Sequence, residues 1–111
     1  MHRDLPACHV GLTRQGTTTI LSARGEIDIA TVHLLHSAVR EVKPPSELLV
    51  IDLSEVTFLD STAIRALLNA RSAADGASIR LIVVVEPGGA AERVLELAGI
   101  GEWLTVVHNH A

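Results

Sequence analysis

The sequence has little of the residues that build aromatic cores or disulfide frameworks. Its 111 residues include one Trp, one Phe and no Tyr, and aromatic residues make up only 2%. Hydrophobic residues nevertheless make up 48%, so we predict one contiguous aliphatic core of Val, Leu, Ile and Ala. Cys8 is the only cysteine, which excludes a disulfide within the chain and a CxxC metal site. We interpret Cys8 as a small apolar residue in a strand.

An excess of positive charge and long apolar segments are also absent. The formal net charge is -4, and the basic residues are scattered, whereas direct binding to nucleic acid or acidic lipid needs clustered Lys and Arg. The longest purely apolar run, residues 81–85, is far shorter than the about 20 residues that span a bilayer. Residues 1–6 lack the apolar core of a signal peptide. We therefore expect a cytoplasmic protein with no membrane insertion and no direct contact with nucleic acid.

The first half of the chain shows strand patterns, then a helical one, then another strand. Residues 8–13 and 17–24 lie on either side of Gln15-Gly16 and predict a β-hairpin. From Ile29 onward apolar residues recur at helical spacing, and Pro44-Pro45 closes that helix. The continuous apolar run 48–53 predicts a central strand that is buried on both faces.

The second half continues the alternation of helices and strands. Residues 60–76 predict a helix, 79–85 a strand, 90–98 a helix with Gly99 past its end, and 104–107 a last strand. This order predicts an α/β fold, with a mixed, mostly parallel sheet, an N-terminal hairpin and helices packed mainly on one face. We expect a single domain over residues 1–111 with an ordered core of about 8–107.

Three small polar residues, Asp60, Ser61 and Thr62, follow a predicted strand and begin a predicted helix, where sites in open α/β sheets tend to form. One interpretation is capping, because all three are favoured N-cap residues. The other is that Ser61 is an exposed hydroxyl within reach of a protein kinase. Phosphorylation would add about -1.5 to -2 charge, which the helix N-terminus would partly stabilise and Asp60 would oppose.

A second acidic segment, Gly25-Glu26-Ile27-Asp28, follows the second predicted strand and precedes the first helix. The sequence places Glu26 and Asp28 on a loop that neighbours Ser61. Asp28 is either a cap of its helix or part of a functional surface, and the local pattern leaves both open. Together the two loops predict an acidic surface that binds a partner while Ser61 is free and loses it when Ser61 is phosphorylated.

Catalysis and metal binding have weaker support in the sequence. A nucleophilic Ser61 needs a base within reach, and no histidine falls in the other predicted loops at that sheet edge, so we predict no enzyme. The pairs His33 and His36, and His108 and His110, lack the further ligands of a zinc site. We expect no metal and no cofactor. A purely structural subunit of a larger complex is a third possibility.

The residues taken together resemble the STAS domain family, specifically the stand-alone anti-sigma factor antagonists of bacteria. The resemblance covers residues 8–107 and is most specific over 49–68. There a hydrophobic strand ends in Asp-Leu-Ser and is followed by Val-Thr-Phe-Leu-Asp-Ser-Thr-Ala-Ile-Arg-Ala-Leu-Leu. The Gly-Glu-Ile-Asp segment after the second strand also matches. The resemblance implies a STAS-like domain that acts as a partner switch.

In that family the unphosphorylated domain binds an anti-sigma factor of the histidine-kinase-like ATPase class, which frees a sigma factor for transcription. This partner is a serine kinase that supplies the ATP, and a serine phosphatase reverses its action. The resemblance implies that Ser61 is the phosphorylation site and Asp60 its flanking carboxylate. It also implies that Asp28 is the acidic residue that contacts the kinase or helps the transfer. We expect Thr62 and Arg65, exposed one turn on, to complete the partner-binding surface.

Many relatives have Ser-Ser-Gly where this chain has Ser61-Thr62-Ala63. Thr62 keeps the hydroxyl. Ala63 lacks the freedom of glycine at positive φ, which matters only if the position is not helical, and we expect it to be helical. STAS domains are also non-enzymatic subunits of stress-sensing and lipid-transport complexes, and such a subunit is the alternative function.

Overall fold

The computed structural model describes residues 7–109, which form five strands and three α-helices. In chain order the elements are β1 (Cys8–Gln15), β2 (Thr18–Ile27), α1 (Val32–Arg40), β3 (Leu48–Leu59), α2 (Ser61–Gly76), β4 (Arg80–Val85), α3 (Ala90–Ala98) and β5 (Thr105–His108). A short 3-10 turn, Ile100–Glu102, precedes β5. This element order is the one that the sequence predicted. No helix of the described chain is both long and apolar enough to cross a membrane.

The strands lie in the sheet in chain order, β1-β2-β3-β4-β5. β1 and β2 are antiparallel, and every other neighbouring pair is parallel. Parallel crossovers are almost always right-handed. Because the parallel strands all advance in one direction across the sheet, α1, α2 and α3 come to the same side. The prediction of a mixed, mostly parallel sheet with an N-terminal hairpin is confirmed.

Burial along the strands agrees with helices on one face. Leu21, Ile51 and Val83 are register neighbours on β2, β3 and β4, and each is 0% exposed. The residues one position before each of them face the opposite side and are only half-buried. The prediction that β3 is central is therefore correct. The prediction that it is buried on both faces is wrong, because no described helix covers the second face.

The core is aliphatic, as the composition predicted. Its buried apolar residues are Val, Leu, Ile and Ala together with Cys8. Burial raises the pKa of the Cys8 thiol, so the thiol stays neutral, as expected of a small apolar core residue. Both aromatic residues lie outside the core: Phe58 is 48% exposed and Trp103 is 59% exposed.

β3 has an extra residue relative to β2 near its middle. Ser22 pairs with Asp52, but the next pair is Arg24 with Glu55, which is the pattern of a β-bulge. The Asp52 carboxylate holds this bulge, since it accepts a hydrogen bond from the Ser54 N–H at 2.9 Å and another from the Ser54 hydroxyl. The bulge lets β3 continue beside β2 well beyond the predicted end of the strand.

A second bulge reverses which side chains of β3 face the core. Gly25 pairs with Val56, and the next pair is Glu26 with Phe58. Val56 and Leu59 are 4% and 3% exposed although they are three positions apart, which regular two-residue alternation does not allow. The extra residue thus turns Phe58 outward and Leu59 inward.

Gly25 makes a close approach possible at the end of β2. Its φ is 94°, and a Cβ at this position would overlap the carbonyl oxygen of Ala7. That oxygen accepts a hydrogen bond from the Glu26 N–H at 2.8 Å. The residue that begins the Gly-Glu-Ile-Asp segment therefore has a structural reason to be glycine.

We expect Gly25→Ala to lower the free energy of unfolding by about 1–3 kcal/mol, because alanine is strained at this φ and collides with Ala7. Urea denaturation of the whole chain measures the change. Gly76→Ala is the matched control, since no atom apart from its chain neighbours and the helix backbone lies within 4 Å of its Cβ position at the end of α2. Its stability should rise by up to about 1 kcal/mol. Equal unfolding midpoints for Gly25→Ala and wild type would contradict this explanation.

Glu92 links α3 to the loop before it and to β5. Its carboxylate accepts a hydrogen bond from the Gly88 N–H at 2.7 Å and pairs with the His108 side chain on β5. The Gly88 hydrogen bond, followed by the contact with His108, lowers the pKa of Glu92. Since the pKa is lower in the folded state, the stabilisation is complete above the unfolded-state pKa. It is lost as the pH falls through the folded-state pKa.

Glu92→Gln should therefore destabilise the protein at neutral pH, and its difference from wild type should shrink as the pH falls below about 4, where carboxylates become protonated. Thermal unfolding at several pH values measures this difference. Glu96→Gln is a control, because Glu96 lies exposed on the same helix. A difference for Glu92→Gln that grows in acid would contradict the assignment.

Candidate functional site

The predicted site lies where β2 and β3 end side by side. Ile27 and Leu59, the last residues of these parallel strands, are register partners, and both are buried. The N–H of Asp60 then donates a hydrogen bond to the Ile27 carbonyl at 3.3 Å. The strand pairing and this hydrogen bond together hold the loop that begins with Asp28 beside the start of α2. The two segments that the sequence placed on neighbouring loops are therefore brought together.

Asp60 is the N-cap of α2. Its backbone is extended, and its Oδ1 accepts hydrogen bonds from the N–H groups of Thr62 at 2.9 Å and Ala63 at 3.2 Å. The capping interpretation is thus correct for Asp60. Within residues 7–109, no hydrogen bond reaches its second carboxylate oxygen, Oδ2.

Ser61 is the first residue of α2, and it is exposed. Because Asp60 caps the helix, the Ser61 hydroxyl is not needed for that purpose, and it makes no hydrogen bond among the described residues. Thr62 is half-buried and Arg65 is exposed one turn later. Ala63 is helical and 0% exposed. The expectation for Ala63 is confirmed, and a glycine there has no conformational advantage.

Asp28 organises the turn that leads into α1. Its Oδ1 accepts hydrogen bonds from the N–H groups of Ala30 at 2.9 Å and Thr31 at 3.2 Å. Its carbonyl accepts one from the Val32 N–H at 2.8 Å. This turn explains why α1 begins at Val32 rather than at residue 29. Glu26 lies in β2 instead of the predicted loop, because β2 is longer than the sequence pattern indicated.

Two large apolar side chains are exposed at the same edge, one of them Ile29, from which the sequence predicted helical periodicity. Ile29 is 80% exposed in the turn after Asp28, and Phe58 is 48% exposed near the end of β3. The sequence contained a signal for Phe58. It is the single Phe of the chain, and it stands two positions before Asp60, next to the predicted site.

The groups around the Ser61 hydroxyl would act on an added phosphate in opposite directions. A phosphate on Ser61 would meet the partial positive charge at the α2 N-terminus and the carboxylates of Asp28 and Asp60. Within the described residues no histidine forms a hydrogen bond with Ser61, and those histidines lie in β1, α1 and β5. The described part also contains no group of three or more His, Cys, Asp or Glu that could hold a metal ion. His110 lies outside it.

These observations define a small α/β domain with an exposed serine at the start of the helix that follows a central strand. A family model described as "Mlab, STAS domain" matches residues 10–107. The chain therefore belongs to the STAS domain family, and the resemblance noted in the sequence is confirmed.

Solved structures show the same fold. An anti-sigma factor antagonist from Mycobacterium paratuberculosis has a TM-score of 0.80 at 28% identity, over 89% of this chain and 84% of that chain. SpoIIAA in its unphosphorylated form has a TM-score of 0.71 at 17% identity, over 92% and 89%. The phosphorylated form of SpoIIAA, a Bacillus cell fate determinant, has a TM-score of 0.68 at 16% identity, over 92% of both chains. No curated protein matches the sequence.

We expect Asp60→Ala to lower the free energy of unfolding by about 0.5–2 kcal/mol, because two N–H groups at the start of α2 lose their acceptor. Asp60→Asn should cost far less, since asparagine caps helices about as well as aspartate. Urea denaturation of both variants beside wild type provides the comparison. If the two substitutions destabilise equally, the charge and not the cap explains the contribution of Asp60.

Proposed function

We propose that this protein is an anti-sigma factor antagonist that acts as a phosphorylation-controlled partner switch. Its unphosphorylated form binds an anti-sigma factor that is also a serine kinase of the histidine-kinase-like ATPase class, and a sigma factor is released for transcription. Phosphorylation of Ser61 ends this binding, and a serine phosphatase restores it. The observation that carries the proposal is the exposed Ser61 hydroxyl, which Asp60 relieves of a capping role at the start of α2.

Phosphorylation at this position changes the surface without unfolding the domain. It adds about -1.5 to -2 charge at the end of α2 whose N–H groups and dipole favour an anion. The core contacts of α2 are made by other residues, including the fully buried Ala63. The added charge therefore acts mainly on a partner that contacts Asp28, Asp60 and Ser61.

The partner-binding surface in this proposal consists of Asp28, Asp60, Ser61, Thr62 and Arg65. The half-buried carboxylates of Asp28 and Asp60 meet cationic groups of the kinase, and Arg65 extends the contact along α2. The protein is the substrate and not the enzyme. It binds no cofactor of its own, since ATP belongs to the kinase, and it acts in the cytoplasm.

Two further observations support this class of function over the others. The fold matches that of an anti-sigma factor antagonist over most of both chains at 28% identity. In addition, the described histidines form no hydrogen bond with Ser61, so a catalytic serine lacks its usual base. Turnover of acyl or phosphate esters that Ser61→Ala abolishes would overturn the non-enzymatic assignment.

The test is a pull-down from lysate of the native host, with wild type, Ser61→Ala and Ser61→Asp as baits. We expect wild type and Ser61→Ala to retain an ATPase-type anti-sigma factor, and Ser61→Asp to retain at least tenfold less. Ser72→Asp is the matched control, because Ser72 is exposed on α2 away from the sheet edge, and it should bind as wild type does. Incubating the captured kinase with ATP should add one phosphate to wild type and none to Ser61→Ala.

The main alternative is a non-enzymatic STAS subunit of a stress-sensing or lipid-transport complex. In such a subunit the polar residues at the start of α2 serve capping and constant binding only. All four baits would then retain the same proteins, and the captured material would not phosphorylate Ser61. That result would reject the partner switch for this protein.

A further inference from the structure

Phe58, the single phenylalanine of the chain, is exposed at the proposed partner-binding edge and does not pack in the aliphatic core. Aromatic side chains provide large apolar contact areas and are enriched at the energetic centres of protein interfaces. Phe58 is 48% exposed because the second bulge of β3 turns it outward and places Leu59 in the core instead. Bulges that redirect a side chain are common beside functional sites.

Ile29 is a second apolar side chain at this edge, and it is 80% exposed. It lies between Asp28 and Ala30 in the turn that the Asp28 carboxylate closes with hydrogen bonds at 2.9 and 3.2 Å. Phe58 is held through its strand pairing with Glu26. Both side chains are thus presented by ordered backbone, so little conformational entropy is lost when a partner covers them.

The direction of the proposed switch requires more than an attraction between charges. A basic partner that met only Asp28 and Asp60 would bind more tightly once phosphate added further negative charge to Ser61. The proposed switch works in the opposite direction. Binding must therefore depend on a contact that a phosphate disrupts. An apolar contact that excludes water is such a contact, because burying a hydrated dianion beside two carboxylates is costly.

We propose that Ile29 and Phe58 form an apolar contact pair that supplies most of the affinity for the anti-sigma factor kinase. This inference rests on the proposed function and identifies the part of the surface that drives binding. The complementary surface of the kinase is an apolar depression with Lys or Arg at its rim, which faces Asp28 and Asp60. Phosphorylation of Ser61 places its charge at this dry contact and separates the two proteins.

The chain offers a matched control for this pair. Leu97 is 88% exposed in the last turn of α3, and α3 does not contribute to the proposed surface. Replacing Leu97 with serine removes as much exposed apolar surface as the same change at Ile29. None of the three positions belongs to the buried core, so Ile29→Ser and Leu97→Ser should unfold at midpoints close to that of wild type. Phe58→Ser should unfold slightly earlier, because serine is less favoured than phenylalanine in a strand, and binding is compared under conditions in which every variant is folded.

The experiment measures dissociation constants for the anti-sigma factor that the wild-type bait captures, purified without ATP, at low and high salt. Ile29→Ser and Phe58→Ser should each weaken binding about tenfold or more, and Leu97→Ser less than twofold. The loss of affinity in Ile29→Ser and Phe58→Ser should be nearly the same at both salt concentrations, because apolar contacts are not screened. With ATP present, the two contact variants should raise the KM for phosphorylation of Ser61 and leave kcat near that of wild type.

The outcomes separate this inference from the function on which it rests. If Ser61→Asp loses the kinase while Ile29→Ser and Phe58→Ser bind as wild type does, the apolar pair is overturned and the partner switch stands. Equal weakening by Leu97→Ser also overturns it, as does a loss for Ile29→Ser and Phe58→Ser that disappears at high salt. If wild type captures no anti-sigma factor, the proposed function and this inference fail together.

Discussion

The hydrogen bond from the Asp60 N–H to the Ile27 carbonyl is the contact on which the candidate site depends. It continues the parallel pairing of β2 and β3 by one residue beyond the buried partners Ile27 and Leu59. Both segments that carry polar site residues leave the sheet at this point, so neither can move without breaking the pairing. The aliphatic core beneath them keeps the two strand ends together, and the site beside these strand ends thereby gains the rigidity of the sheet.

Asp28 and Asp60 make the same kind of hydrogen bonds to the backbone. Each uses its Oδ1 to accept hydrogen bonds from two backbone N–H groups, Asp28 in the turn before α1 and Asp60 at the start of α2. Asp60 is a helix cap, whereas Asp28 closes the turn before α1, whose N-cap is Thr31. In both cases this local role is compatible with a functional one. A carboxylate fixed through one oxygen is held in one orientation and can present the other to a partner. At α2 the same arrangement leaves the adjacent Ser61 hydroxyl without a hydrogen bond among the described residues.

The order of the elements, the bounds of α3 and the aliphatic core could be predicted, because helical and alternating periodicities are written directly in the sequence. The position of Ser61 followed from the rule that sites form at the carboxyl ends of parallel strands. The outward position of Phe58 could not be predicted, since it depends on a bulge that shifts the register of β3 against β2. The half-buried second face of β3 was also missed, because a run such as Leu48–Leu53 looks the same whether one face or both are covered.

Trp103 is an intrinsic fluorescent reporter that lies near the C-terminal part of α2. Its carbonyl accepts a hydrogen bond from Arg71, which pairs with Asp75 at 3.0 Å in the last turns of α2. The 16 residues of that helix span about 24 Å, with Ser61 at the opposite end. The sequence has one Trp and no Tyr, so ultraviolet-excited emission comes essentially from this indole. Fluorescence of the unlabelled protein therefore reports on the far end of the same helix that begins with the proposed modification site.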